Sequence, residues 1–439
     1  MPHSISITRR RCLASMLALP AAFALRANPA KGRDWHALQA TLDTFVRERR
    51  ASGVGVAIRY GEAAPSYLNS GMLAFDSKLP FDEDSLCRIY SMTKHVTRTA
   101  TLLLVEDGKL SLDQPVSDVL PEFGKLQVAV DIAKGLDARP ATRVMTMRHL
   151  ITNTSGLGNW TPGSNSGDAL HTLYRERGIT PGAYGASRTR PGYGAQPASL
   201  DELVARVAQL PLAYEPGTVL HYSIGFDVMA LVIQRVAGVD YGEFLRRRLF
   251  EPLGMASTGF MVAPKDAARL TSNYDATAAG DNSVGEPPAE ANLPPGFGIS
   301  DDRASSDWLA PPRLLAGGAG LVSTSRDFLR YAQMLLGDGL YDGKRVMAVE
   351  TARLVTGDIQ PAGVAEPDQG VGAGSRALLR TPMLPPGSIG SGGAAGTLFW
   401  IDRERKGAVV FMSQAMYGTP ARSPYQQRLF AAIEQGLVA

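Results

Sequence analysis

A serine and a lysine three residues apart, Ser91 and Lys94, stand in the run Arg88-Ile89-Tyr90-Ser91-Met92-Thr93-Lys94-His95. The segment behind them, Val96 to Glu106, carries apolar residues at helical spacing, so the pair reads as the first turn of a helix. Positions i and i+3 share a helix face, which sets the hydroxyl beside the amine. A serine hydroxyl is a poor nucleophile near neutral pH and becomes useful when a base lies within hydrogen-bond reach of its proton. Lys94 is placed for that. A Ser and Lys at this spacing also arise by chance about once in a chain of average composition, so the pair needs support from elsewhere.

Other nucleophile chemistry is poorly represented. No serine lies in a G-x-S-x-G elbow. His36, His95, His149, His171 and His221 show no metal-ligand pattern and read as structural, and there is no zinc-ligand spacing or phosphate-binding glycine loop. Cys87, four residues before Ser91 on an apolar stretch, reads as a small buried hydrophobe.

The elements that must position Ser91 follow from pattern. A helix is expected over Trp35 to Arg50, with Leu38, Leu42 and Phe45 on one face. Gly53 to Tyr60 and Ser66 to Gly71 read as a β-hairpin around the turn-rich Gly61-Glu62-Ala63-Ala64-Pro65. After the Ser91 helix come a Pro-broken connector, Leu110 to Phe123, and a short helix, Thr146 to Thr152, ending in the turn Asn153-Thr154-Ser155-Gly156-Leu157. Helices are expected over Leu200 to Ala208, Gly225 to Val236 and Tyr241 to Phe250, and another with Ser325 as its N-cap. The Gly- and Pro-rich stretches 159–197 and 276–306 read as long loops, the first as a substrate-side flap or a surface insertion. Near the end, Thr397 to Asp402 and Gly407 to Ser413 are strands, and Tyr425 to Leu437 is a helix.

Strands thus cluster at both ends with helices between. This predicts a mixed α/β (α+β) fold: an antiparallel sheet built from residues 34–108 and 360–439, flanked by helices, with a mostly helical region, 109–359, inserted. A chain of 439 residues exceeds what one core usually spans, and 44% hydrophobic with 20% charged residues is ordinary globular composition. Residues 1–24, with Arg9, Arg10 and Arg11 ahead of a short apolar run, read as an export signal of twin-arginine type, giving a periplasmic or secreted bacterial protein. Those three arginines account for the formal charge of +3, so the remainder is neutral. No basic patch then argues for nucleic acid, and no stable membrane span is expected after cleavage. Oligomeric state is not legible.

The stretches around Ser91, Tyr222 and Gly392, in that order, resemble the serine β-lactamase and penicillin-binding family, most closely its class C branch and the related family VIII carboxylesterases. The Thr152–Leu157 turn, Pro252-Leu253-Gly254-Met255, the glycines at 317 to 320 and Gly392-Gly393-Ala394-Ala395-Gly396-Thr397 add to the likeness, which covers nearly all of the chain after residue 24. The resemblance implies a β-lactamase/transpeptidase-like fold, Ser91 as acylated nucleophile and Lys94 as its partner. Tyr222 matches the tyrosine of Y-x-N; a phenol can act as a base only where nearby positive charge favours the phenolate, which Lys94 would supply. Which of the two takes the proton stays open. Ser391-Gly392-Gly393 would border the substrate, and the N–H groups of Ser91 and Ala394 would form the oxyanion hole.

Two departures narrow the reading. Ile224 stands where Y-x-N has asparagine, and Ser391 where lactamases carry lysine. A site without partners for an amide and a carboxylate leaves both desolvated and unpaired, which penalises β-lactams and peptides but not esters; Arg376 or Arg380 could restore the charge. The expectation is a serine hydrolase acting on small acyl esters or amides, without metal or organic cofactor. The alternatives are a β-lactamase or D-alanyl-D-alanine carboxypeptidase, an acyltransferase, and a non-catalytic penicillin or peptidoglycan sensor.

Overall fold

The computed structural model describes residues 33–132, 135–158, 169–179, 193–222, 224–276, 293–364, 388–417 and 426–438. The segment read as an export signal lies outside them, as do Arg376 and Arg380.

Five strands form one sheet in the order Ile389–Gly392, Leu398–Asp402, Gly407–Met412, Gly53–Tyr60, Ser66–Gly71. Every neighbouring pair is antiparallel. The three inner strands are buried on both faces, which is why Gly53–Tyr60 and Gly407–Met412 read as nearly unbroken apolar runs. The alternation appears only when the two faces are followed separately. Val54, Val56, Ile58, Leu398, Trp400, Val409 and Phe411 pack against the terminal helices His36–Arg47 and Gln426–Val438 through Leu38, Leu42, Phe45, Leu429 and Ile433. Ala57, Phe399, Ile401, Val410 and Met412 face the other way, into the larger helical core. That core includes the Ser325–Leu336 helix, which lies directly on the sheet.

At the centre runs the helix Thr93–Glu106, buried along its length as far as Leu104. Its threonines tolerate burial by bonding within the helix: Thr97, Thr99 and Thr101 donate to the carbonyls four residues back at 3.1, 2.9 and 2.9 Å. Thr97 and Thr99 also meet the phenols of Tyr241 and Tyr331, each at 2.7 Å. Burial of the whole helix fixes the position of its first turn.

Three details differ from the sequence reading. Part of the 159–197 stretch is a helix, Ala169–Glu176, which buries Leu170, His171 and Tyr174. Within 276–306, Gly298–Asp301 is a strand paired with Asn273–Asp275. The N-cap of the Ser325–Leu336 helix is Thr324, whose hydroxyl accepts the Asp327 N–H at 3.1 Å. Among the described residues, no helix is long and apolar enough to cross a membrane.

Candidate active site

Ser91 sits in a 3-10 turn, Tyr90–Met92, that runs directly into the buried helix. Ahead of it, the short strand Cys87–Arg88 pairs with Val322–Ser323. Arg88 is fully buried and tied on all sides: its Nε donates to Asp301 at 2.5 Å, and its terminal nitrogens donate to the Thr271 carbonyl at 2.6 Å and Ser306 Oγ at 2.9 Å. Tyr90 then adopts φ 41°, a region that non-glycine residues rarely enter. A strained residue immediately before a candidate nucleophile is held there by its surroundings; its phenol accepts from Asn273 at 3.1 Å and its ring meets Trp308 edge-on.

Tyr222 arrives from a different part of the chain. The loop that carries it is pinned by His221 N–H donating to the Asn153 carbonyl at 2.8 Å, and Asn153 itself has φ 54°. The Asn153–Leu157 turn therefore has a purpose in the fold: it presents the strand-like run that ends in Tyr222. Gly156, at φ 75°, lies so close to the Tyr214 carbonyl that a Cβ there would come within 1.9 Å of it.

The three side chains meet. Ser91 Oγ lies 2.7 Å from Tyr222 Oη, and Lys94 Nζ donates to Ser91 Oγ at 3.3 Å. Lys94 also donates to the Gly318 carbonyl at 2.6 Å, and its ammonium stands 4.6 Å from the centre of the Tyr222 ring. Lys94 is buried, whereas Ser91 and Tyr222 are partly exposed, so the reactive oxygens open to solvent while the amine does not.

The glycine-rich strand closes one side. Ile389–Gly392 packs against the Ser91 turn, and Ser391 pairs with Phe399. At Gly393 a Cβ would fall 2.2 Å from the carbonyl of Ile89, two residues before Ser91, so only glycine allows this approach. Gly393 N–H donates to Thr397 at 2.8 Å and its carbonyl accepts from Gly396 at 3.0 Å, closing a turn that leaves Ala394 exposed. Ser391 is half-buried and offers a hydroxyl without charge. Ile224 is placed otherwise than at a substrate-lining surface. It is 1% exposed, heads the Gly225–Ala237 helix and packs in the hydrophobic core.

Asp227 was not among the residues singled out by motif. It is buried in the first turn of the Gly225–Ala237 helix, and its carboxylate accepts the Gly318 N–H at 3.2 Å. Burial pushes its pKa up to about 6, and the nearby Lys94 ammonium acts against that rise. Of the other buried ionisable groups, Cys87 has its thiol pushed up to about 12 by burial, which leaves it unreactive at neutral pH. His149 caps its own helix by accepting the Thr146 N–H at 3.1 Å.

Comparison with known proteins bears on the family and the fold. The family model described as Beta-lactamase matches residues 38–433. An uncharacterized protein of Mycobacterium tuberculosis is 32% identical over 289 residues; the match covers 66% of this chain but only 63% of that protein's length. Esterase EstB of Burkholderia gladioli is 31% identical over 396 residues, 87% of each chain. Among solved structures, EstCE1, described as a hydrolase with promiscuous acyltransferase activity, aligns with a TM-score of 0.65 at 25% identity, covering 90% of this chain and 97% of its own. A family match along almost the whole described chain, with an EstB relative 31% identical over 87% of each chain, means that the chain belongs to the β-lactamase family.

Proposed function

We propose that this protein is a serine hydrolase that cleaves small acyl esters through an acyl-enzyme on Ser91. The observation that carries the reading is the short contact between Ser91 Oγ and Tyr222 Oη, 2.7 Å, with the Lys94 ammonium beside both. Tyr222 is the better candidate for taking the Ser91 proton. It is nearer than Lys94, and Lys94 spends one of its N–H groups on the Gly318 carbonyl and faces the carboxylate of Asp227, surroundings that favour a cation.

In this mechanism Ser91 Oγ attacks the acyl carbon as its proton passes to Tyr222. The tetrahedral oxyanion is held by the N–H groups of Ser91 and Ala394. Removing one such donor typically costs about 2.7–4 kcal/mol in the transition state. The ester C–O bond breaks, the alcohol leaves with the proton from Tyr222, and water then releases the acid by the same steps in reverse order of roles. Ester preference is supported by the uncharged Ser391, which offers no cation to a substrate carboxylate. The name of the Burkholderia gladioli relative points the same way.

Acyl transfer is the second reading, favoured by the likeness to EstCE1. It differs only in whether an alcohol or water accepts the acyl group. Export is part of the proposal, on the strength of Arg9, Arg10 and the short apolar run behind them. Replacing both arginines by lysine should retain the protein in the cytoplasm of a bacterial host.

The test is a panel of p-nitrophenyl esters against nitrocefin, with wild-type protein and Ser91→Ala. Short-chain esters should be turned over and nitrocefin barely, with ester turnover lost in Ser91→Ala. Nitrocefin turnover comparable with that of the esters would favour a lactamase or peptidase, and one round of labelling at Ser91 without turnover a sensor.

A further inference from the structure

We propose that Asp227 is a positioning residue for this reaction, its carboxylate acting across the Gly318 peptide to keep Lys94 a cation aimed at Ser91 and Tyr222. The inference rests on the acyl-enzyme reading above.

The Gly318 peptide is bonded at both ends. Its N–H donates to Asp227 Oδ1 at 3.2 Å and its carbonyl accepts from Lys94 Nζ at 2.6 Å. A Cβ on Gly318 would lie 2.7 Å from Asp227 Oδ2 and 3.4 Å from Lys94 Nζ. The place that a side chain at 318 would fill thus lies next to both the carboxylate and the ammonium. Next to it, the Gly317 carbonyl lies 2.6 Å from Thr97 Oγ1, and a Cβ on Gly317 would strike the Phe226 carbonyl at 2.3 Å. The glycine pair is clamped between the helix that carries Lys94 and the helix that carries Asp227.

Asp227 is 1% exposed, and a charge so placed is costly unless a partner offsets it. Two features lower that cost: its position in the first turn of a helix, and Lys94. The ionisable side chain that acts on it is Lys94 from the Thr93–Glu106 helix; Asp227 in turn adds to the rise that burial gives the phenol of Tyr241, on the Tyr241–Leu245 helix. Arg148 and His149, on the helix packed against the same side, interact instead with Asp113 and Arg143. Tyr222 faces Lys94 from the loop before the helix. A purely structural part for Asp227, anchoring the Gly317–Gly320 loop, would need only an acceptor oxygen, which asparagine also has.

That difference sets the experiment. Asp227→Asn keeps the shape and an acceptor for Gly318 N–H and removes only the charge. With the full chain and p-nitrophenyl acetate, followed by acid release, kcat near neutral pH should fall about tenfold or more with KM little changed. Removing the charge next to the Ser91–Lys94–Tyr222 group should also change the pH profile of the rate relative to wild type. In a Lys94→Met background, Asp227→Asn should add less than about twofold to the loss in Ser91 labelling by a fluorophosphonate, since its route through Lys94 is already cut. An unchanged pH profile, or a loss that multiplies fully onto Lys94→Met, overturns the proposal. Asp227→Glu compared with Asp227→Gln repeats the charge comparison at a longer side chain. Failure of the acyl-enzyme reading would show separately, as ester turnover that survives Ser91→Ala.

Discussion

Tyr222 Oη and Lys94 Nζ reach one oxygen, Ser91 Oγ, from opposite origins: one from a loop pinned to Asn153, the other from a buried helix. If the phenol moves the proton, Tyr222→Phe should lower kcat by about a hundredfold to ten-thousandfold, with little change in KM, because the ring and its packing remain. Steady-state kinetics on a short-chain ester check this. A fall confined to KM would mean that the hydroxyl only holds substrate. At this scale the sequence was informative where chemistry demands a residue type. Ser91 and Lys94 could be picked out by type and spacing, and Tyr222 by the resemblance to the family's Y-x-N stretch. Asp227 could not, because a carboxylate in the first turn of a helix looks like an ordinary solvated residue until tertiary packing buries it against Gly318. Ile224 misled for the same reason: its place beside Tyr222 suggests the site, and its side chain goes to the core.

Elements position these residues by close backbone approach. The Ile389–Gly392 strand can lie against the Ser91 turn only because Gly393 has no Cβ to meet the Ile89 carbonyl at 2.2 Å and Thr397 Oγ1 at 2.3 Å. Gly393→Ala should therefore push the strand away by a fraction of an ångström to an ångström. Overpacking of this kind costs about 1–3 kcal/mol in stability, and misplacement on that scale can cost about a hundredfold in rate. Loss of kcat/KM larger than the drop in unfolding free energy explains is the expected result, and unchanged kinetics would show that the approach is immaterial. The long elements were legible from pattern: the hairpin Gly53–Tyr60 and Ser66–Gly71 has the expected bounds. Two-residue strands such as Cys87–Arg88 and Val322–Ser323 were not, since so short a run carries no period and its partner is remote in sequence. The Ala169–Glu176 helix was hidden by the Gly-, Pro- and Ser-rich composition around it.

Among the described residues, strands from the first and last parts of the chain share one sheet, and the helices His36–Arg47 and Gln426–Val438 cover its outer face. That could be read from strands clustering at the two ends of the chain, whereas the parallel pairing of Ala415–Met416 with Asn273–Asp275 depends on the folded path alone. Burial also sets how the fold responds to acid. His95, packed edge-on against Phe399 with neither ring nitrogen hydrogen-bonded among the described residues, is pushed down to about 3 by burial, and His149 to about 4. For a base with a depressed folded pKa, stability is full above the ordinary value of 6.5 and is lost as pH falls towards the folded value. Asp227 works in the opposite sense, its raised pKa making it least costly below about 4. The histidines have the larger shifts, so stability should decline from about pH 6.5 downward. His95→Leu should move the midpoint of acid unfolding, followed by circular dichroism, to lower pH; an unmoved midpoint would assign acid sensitivity elsewhere. The central claim concerns covalent chemistry at one oxygen, and rapid-quench mass spectrometry reads it directly. Mixing the protein with a short-chain p-nitrophenyl ester should give a burst of one equivalent of p-nitrophenol and an acyl group on the peptide that contains Ser91. Turnover with no acylated peptide at any time, or an acyl group elsewhere, would contradict it.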